Sequence, residues 1–82
     1  MQTTTTTWQA ELTDTFGGQA NYSWVRREEF NAPAGADRRT IVRLGKAALG
    51  LTGDRCRTSG YGEGYELRPS GSATVAFLFP VY

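Results

Sequence analysis

The chain carries few of the side chains that perform chemistry in proteins. Among its 82 residues there is no histidine and one cysteine, Cys56. Histidine is the commonest general base at neutral pH, and histidine and cysteine together supply most structural zinc sites. Without them a Cys/His nucleophile or an ordinary zinc site is excluded, and carboxylates, arginines and tyrosines remain as functional groups.

The acidic residues do not provide a pair for acid/base catalysis. Glu28 and Glu29 are neighbours on a predicted strand, so their side chains point to opposite faces of the sheet. Asp14, Asp37 and Asp54 occupy predicted turns or helix caps, where aspartate is favoured because it hydrogen-bonds nearby backbone groups. No carboxylate spacing fits a calcium loop. We therefore predict that the chain is not an enzyme and holds no metal or cofactor.

Cys56 lies between two arginines, Arg55 and Arg57. Guanidinium groups lower the pKa of a thiol only when they approach it closely. On a strand, both neighbours of Cys56 point to the opposite face. The sequence therefore favours a small buried packing residue over a reactive thiol.

The glycine-rich segment 60–64 resembles a phosphate-binding loop. Such loops require a helix directly after the glycines, because the helix N-terminus provides the positive end. Here a strand is predicted to follow. We expect a hairpin connection with Tyr61 exposed at its tip.

Arginines and aromatic residues form the main candidate binding surface. Their combination suits single-stranded nucleic acid and also protein interfaces, where tyrosine, tryptophan and arginine are enriched. A third interpretation is that the arginines pair with the eight acids and form an ordinary solvated surface. For Trp24 the alternative to a binding role is a packing role in the core. The net charge of only +1 favours a protein partner over nucleic acid. The predicted binding residues are Tyr22, Trp24, Arg26, Arg27, Arg39, Arg43, Tyr61 and Tyr65.

Two strands are predicted before the helix, after a flexible threonine-rich lead-in at 1–7. Over 8–13 apolar side chains fall at every second position, which is typical of a half-buried strand. Gly17 and Gly18 predict a tight turn, since glycine readily adopts a positive φ. The next strand, 22–30, carries charges in its second half, which indicates that it leaves the core or lies at a sheet edge. One face of this strand is predicted to present Tyr22, Trp24, Arg26, Glu28 and Phe30.

A single amphipathic helix is predicted at 38–49. Asp37 is a suitable N-cap, and Gly50 fits the left-handed position after the last turn. Apolar residues at Ile41, Leu44 and Ala48 form the buried stripe. The outward face is expected to carry Arg39, Arg43 and Lys46.

Three further strands are predicted at 55–59, 64–68 and 73–79. The last of them is apolar on both faces, which indicates a central position in the sheet. The fold class is therefore α+β, an antiparallel sheet of about five strands with one amphipathic helix packed on it, in the order ββαβββ. Residues 8–82 form one domain.

In size, in its single helix on a sheet and in its exposed arginines and tyrosines, the chain resembles the small single-domain proteins of bacteriophages and mobile elements, anti-CRISPR proteins among them. The resemblance is one of overall type and transfers no residue roles. It implies a non-catalytic inhibitor that blocks a host defence complex of the CRISPR–Cas type by protein–protein contact. The alternative is a small nucleic-acid-binding accessory or regulatory protein.

The surroundings of the protein are also constrained. The N-terminal segment lacks the basic and apolar regions of a signal peptide, and no apolar run reaches membrane-spanning length. We therefore expect a cytoplasmic protein whose partner is a host protein or complex, with no membrane partner. Homodimerisation through an exposed sheet edge is left open.

Overall fold

Five strands and one helix follow one another in the predicted order ββαβββ. The computed structural model describes residues 4–81. The elements are β1 (Thr5–Phe16), β2 (Gln19–Pro33), α1 (Arg38–Ala48), β3 (Cys56–Tyr61), β4 (Gly64–Pro69) and β5 (Thr74–Pro80). The strands form one antiparallel sheet with α1 against one face, which confirms the predicted α+β class.

The strand order is β2-β1-β5-β4-β3. β5 is therefore central, and its Val75, Ala76 and Leu78 are at most 1% exposed. Because β5 pairs with β1 on one side and with β4 on the other, its backbone is shielded along both edges. The predictions that the last strand is central and that the charged second strand is at an edge are both confirmed.

The β1–β2 hairpin is longer than predicted at both ends. Residues 5–7, part of the predicted flexible lead-in, pair with 31–33 of β2, so the second strand continues three residues beyond its predicted end at Phe30. Residues 1–3 of that lead-in lie outside the described residues. The turn has Gly17 at φ 63° and Gly18 at φ 83°, and two consecutive positive φ angles are the requirement of a type I′ hairpin.

A wide bulge interrupts β2. Asp14 of β1 faces the four residues 21–24, because Thr13 pairs with Val25 and Thr15 with Ala20. The Asp14 carboxylate accepts hydrogen bonds from Asn21 Nδ2 at 2.9 Å, from the Ser23 N–H at 3.0 Å and from Ser23 Oγ at 2.6 Å. These bonds hold the extra residues in place.

The bulge changes which face Tyr22 occupies. Tyr22 has φ 56°, and its hydroxyl donates to Glu11 Oε1 at 2.7 Å. Glu11 is the cross-strand partner of Arg27, so Tyr22 shares a face with Arg27. The prediction that Tyr22 lies beside Arg26 is wrong, because simple alternation fails across a bulge.

Local signals at both ends of α1 act as predicted. The Asp37 side chain accepts from the Thr40 N–H at 2.9 Å. At the other end Gly50 has φ 73°, and the N–H groups of Gly50 and Leu51 donate to the carbonyls of Ala47 and Lys46 at 3.2 and 2.8 Å. This is the Schellman pattern, and it ends the helix one residue before the predicted boundary, with Leu49 as C-cap.

The core lies between α1 and the sheet. Gly45 of the helix faces Leu78 of β5 so closely that an added Cβ would lie 2.6 Å from the Leu78 methyl carbons. Trp8 closes one end of the core between the rings of Phe30 and Tyr65, with centroids 6.3 and 6.1 Å away. The buried residues of this core are Ala10, Leu12, Ala32, Ile41, Leu49, Leu67, Ala76 and Leu78.

The sheet face that α1 does not cover is here named the open face. Cross-strand partners share a face, so Glu11, Phe77 and Glu66 lie together on it. Tyr61 packs on Phe77 with ring centroids 5.0 Å apart. The Arg68 guanidinium donates to the Gly18 carbonyl at 2.7 Å, which ties the β1–β2 turn to β4. Ring packing and hydrogen bonds therefore order the side chains of the open face, in addition to those of the core under α1.

Candidate cationic groove beside helix α1

A groove of about 550 Å³ runs between one flank of α1 and the chain segment that follows the helix. We name it the cationic groove, since four of its nine lining residues are basic. It is lined by Asp37, Arg38, Arg39, Val42, Arg43, Lys46, Thr52, Gly53 and Thr58.

The helical repeat explains why the cations share this flank. Arg39, Arg43 and Lys46 are separated by four and three residues, which places them on one side of a helix. A rise of 1.5 Å per residue separates the first pair by about 6 Å along the axis and the second by about 4.5 Å. Ile41 and Gly45, on the opposite side, are buried against the sheet.

Two of the four cations are held by the protein itself. The Arg38 guanidinium donates to the Thr58 carbonyl at 2.8 Å and lies 6.0 Å from the centroid of the Tyr65 ring. Lys46 Nζ donates to the Asp54 carbonyl. These contacts fix the ends of the cationic row.

The two central cations have no such partner. Arg39 and Arg43 are exposed, and within residues 4–81 neither forms an ion pair or a side-chain hydrogen bond. Asp37 is the acid that lines the groove, and the hydrogen bond from the Thr40 N–H, with the nearby charge of Arg39, lowers its pKa. Because Asp37 caps the helix, the guanidinium groups of Arg39 and Arg43 remain available for an external anion.

The charges of the chain are segregated between two parts of the sequence. Residues 34–59 hold six of the nine basic residues and two of the eight acids, a local net charge of +4. The other residues together carry −3, which accounts for the overall +1. The near-neutral total therefore conceals a strongly basic segment that contains the whole groove lining.

The structure distributes the eight predicted binding residues over several places. Arg39 and Arg43 come together in the cationic groove. Arg26 pairs with Glu28 at 3.3 Å, and its Nη1 donates to the Leu49 carbonyl at 3.4 Å, so it caps the helix C-terminus. The eight side chains therefore do not form one surface.

The remaining predicted residues lie on the sheet. Tyr22 and Arg27 both contact Glu11 on the open face, where Tyr61 also lies. Trp24 is in the bulge and is 45% exposed, which removes it from the core. Tyr65 is half-buried on the helix-covered face and stacks on Trp8.

Glu11 is a buried carboxylate that accepts a hydrogen bond from each of two side chains, Tyr22 and Arg27. It is 8% exposed, and it accepts from the Tyr22 hydroxyl at 2.7 Å and from Arg27 Nε at 3.0 Å. The hydrogen bond to Glu11, together with burial, raises the pKa of Tyr22 to about 12. Tyr22 is therefore protonated at neutral pH and acts as a hydrogen-bond donor to Glu11.

Cys56 is partly buried and packs against the core. Burial raises the pKa of its thiol, and the nearby charge of Lys46 only partly opposes this effect. Arg57 belongs to the other sheet face, as the alternation of β3 predicted. At neutral pH the group is a protonated thiol with little nucleophilic character.

The eight predicted binding residues do not include Arg38, Lys46, Thr52, Gly53 or Thr58, which also line the groove. The spacing of Lys46 from Arg43 was a usable signal, because it continues the same helical row. The position of Thr52 and Gly53 opposite the helix had no local signal. It depends on the chain returning along α1 after Gly50, which only the packed structure reveals.

The described residues contain no candidate metal site and no candidate membrane-spanning helix. Among residues 4–81 no group of three or more potential ligands could hold a metal ion. The helix found in this part of the chain is too short and too polar to cross a membrane.

Comparison with known protein families, with curated proteins and with solved structures finds no match.

Proposed function

We propose that the chain is a non-catalytic, cytoplasmic binding protein that inhibits a partner by covering an acidic part of the partner's surface. In line with the resemblance in type to phage and mobile-element proteins, the partner proposed is a host defence complex of the CRISPR–Cas kind. The observation that carries the binding proposal is the pair Arg39 and Arg43, which line the cationic groove and form no ion pair in the described part of the chain.

The availability of these arginines matters for affinity. An arginine already paired within the protein must give up that partner before it contacts another molecule. When Arg39 and Arg43 contact another molecule, they give up only their bound water. The basic segment around them also attracts acidic surfaces over a longer range. Arg27 and Arg68, by contrast, already pair with Glu11 and Glu66 on the open face.

Nucleic acid is the second candidate partner, because the same row of cations suits phosphate groups. Binding of single strands generally adds aromatic side chains on which bases stack. The groove lining contains no aromatic residue, and the exposed Tyr22, Trp24 and Tyr61 lie on the sheet. This separation favours an acidic protein surface over a single-stranded nucleic acid.

The test is capture of partners from a bacterial lysate, with and without nuclease, followed by mass spectrometry. The immobilised proteins are the wild type, Arg39→Glu/Arg43→Glu and the matched variant Arg55→Glu/Arg57→Glu. Both variants reverse two exposed arginines and change the net charge equally, but Arg55 and Arg57 lie outside the groove. We expect a nuclease-resistant partner on the wild type and on the matched variant, and its loss from Arg39→Glu/Arg43→Glu.

Two results would contradict this proposal. Partners released by nuclease would assign the groove to nucleic acid. Equal loss from both variants would indicate a general response to charge, so the groove would not be the binding surface.

A further inference from the structure

The wall of the cationic groove opposite α1 is a turn that presents backbone donors. The Asp54 N–H donates to the Leu51 carbonyl at 2.9 Å, and Gly53 has φ 89° at the third position, as a type II turn requires. Within residues 4–81, the N–H groups of Thr52 and Gly53 have no backbone or side-chain acceptor. Since Gly53 has no side chain, another backbone can approach this wall closely.

The length of the groove sets how much chain can lie along it. Its basic row from Arg39 to Lys46 extends about 10 Å along the helix axis. An extended segment rises ~3.3 Å per residue, so about four residues span the row. The groove is open to solvent, and such a segment can enter it from the side.

The spacing of the cations matches an extended chain. Side chains on one face of an extended segment repeat every ~6.7 Å. Arg39 and Arg43 are about 6 Å apart along the helix axis, and the flexible side chains accommodate the difference. Asp37 lies at the other end of the groove and repels acidic groups there.

We infer that the cationic groove binds an extended acidic segment of a partner protein, with carboxylates at alternate positions. Two of these carboxylates pair with Arg39 and Arg43, and Lys46 contacts a third through the donors that its bond to Asp54 leaves free. Backbone carbonyls of the segment accept from the N–H groups of Thr52 and Gly53. This inference rests on the proposed function, because it names the part of the partner that is recognised.

The test is fluorescence anisotropy with a labelled peptide of alternating glutamate and threonine. A second peptide has the same composition but holds its residues as Glu-Glu-Thr-Thr blocks, so that adjacent glutamates point to opposite sides. Oligothymidylate of equal charge is the third probe. The proteins are the wild type, Arg39→Glu/Arg43→Glu and Arg55→Glu/Arg57→Glu, each checked for folding by circular dichroism.

We expect the alternating peptide to bind the wild type more tightly than the block peptide or oligothymidylate. Arg39→Glu/Arg43→Glu should weaken its binding by about tenfold or more, and Arg55→Glu/Arg57→Glu by less than about twofold. Amide chemical shifts of Thr52 and Gly53 should change on binding. Equal binding of both peptides, equal loss in both variants or tighter binding of oligothymidylate would overturn the inference.

Competition separates this inference from the proposed function. If the alternating peptide binds as expected but no partner is captured from the lysate, the proposed function fails and the groove inference is retained. If a nuclease-resistant partner is captured and the peptide does not displace it, the groove inference fails and the proposed function is retained.

Discussion

The cationic groove and the open face of the sheet are both rich in charge, but they use it in opposite ways. On the open face, Glu11 and Glu66 are paired with Arg27 and Arg68 at 3.0 and 2.8 Å. In the groove, Arg39 and Arg43 form no ion pair within residues 4–81, since Asp37, the acid that lines the groove, caps α1. The difference indicates that charge on the open face contributes to the fold, whereas charge in the groove is available to a partner.

Burial explains the difference between the two regions. Glu11 lies under Tyr22 and Arg27 and is 8% exposed, and a buried carboxylate is tolerated only when it is paired and hydrogen-bonded. The groove arginines are exposed and remain solvated, so no partner is required to keep them in the folded state. An exposed cation without a partner therefore costs the fold little.

The largest effect is expected where the open face meets the backbone of β5. A Cβ at Gly64 would lie 1.8 Å from the Leu78 carbonyl oxygen, so Gly64→Ala must separate β4 from β5. We expect a loss of about 3 kcal/mol in the free energy of unfolding, measured by urea denaturation.

Gly60→Ala is the control for this substitution. Gly60 lies in the same hairpin, its φ is not positive, and an added Cβ has nothing within 4 Å. It should change the free energy of unfolding by less than about 0.5 kcal/mol. A similar loss in both variants would show that hairpin flexibility, rather than the contact with Leu78, sets the stability.

An intermediate effect is expected from high pH, acting through Tyr22. Its hydrogen bond to Glu11 raises its pKa from 10.0 to about 12 in the folded state. A raised pKa contributes stability that is fully present below the unfolded value and is lost as pH rises through the folded value. The free energy of unfolding should therefore fall between pH 10 and about 12 more steeply in the wild type than in Tyr22→Phe.

Thermal denaturation across this range measures the effect, with Tyr65→Phe as the matched control because Tyr65 lies on the helix-covered face, away from Glu11, and no carboxylate bonds its hydroxyl among the described contacts. Identical pH profiles for the wild type and Tyr22→Phe would mean that the Tyr22–Glu11 bond does not stabilise the open face.

The smallest effect on stability is expected in the groove. Arg39→Gln/Arg43→Gln removes two exposed charges that form no ion pair within residues 4–81, so the free energy of unfolding should change by less than about 0.5 kcal/mol. Arg27→Gln, on the open face, should cost about 1 kcal/mol because it leaves the buried Glu11 with one charged contact fewer. Urea denaturation of the two variants side by side checks the comparison. An equal loss in both would contradict the division of charge between the two regions.

Much of the fold could be predicted because its signals are local. Asp37 and Thr40 are three residues apart, and the Schellman bonds of Gly50 and Leu51 return to the last turn of the helix. The apolar residues on both faces of the last strand predicted its central place. Arg39 and Arg43 were predicted as binding residues, and their spacing of four residues places both in the cationic groove.

The bulge could not be predicted in the same way. Asp14 holds Asn21 and Ser23, seven and nine residues later, and this arrangement moves Tyr22 to the other face. Alternation assumes an unbroken strand, so one bulge changes the face of the side chains on either side of it. The sequence contains these residues, but no short-range pattern indicates that they meet.

The amino-acid sequence alone determined the kind and order of the elements, the ends of the helix and the row of cations along its flank, because each depends on residues within about four positions of one another. The tertiary structure decided which charges are already paired and which are available. That depends on contacts between distant residues, such as Arg38 with Thr58, Arg68 with Gly18 and Arg27 with Glu11. Only packing brings such groups together, because they are distant in the sequence. Packing pairs the arginines of the open face with buried or half-buried acids and leaves Arg39 and Arg43 of the cationic groove exposed.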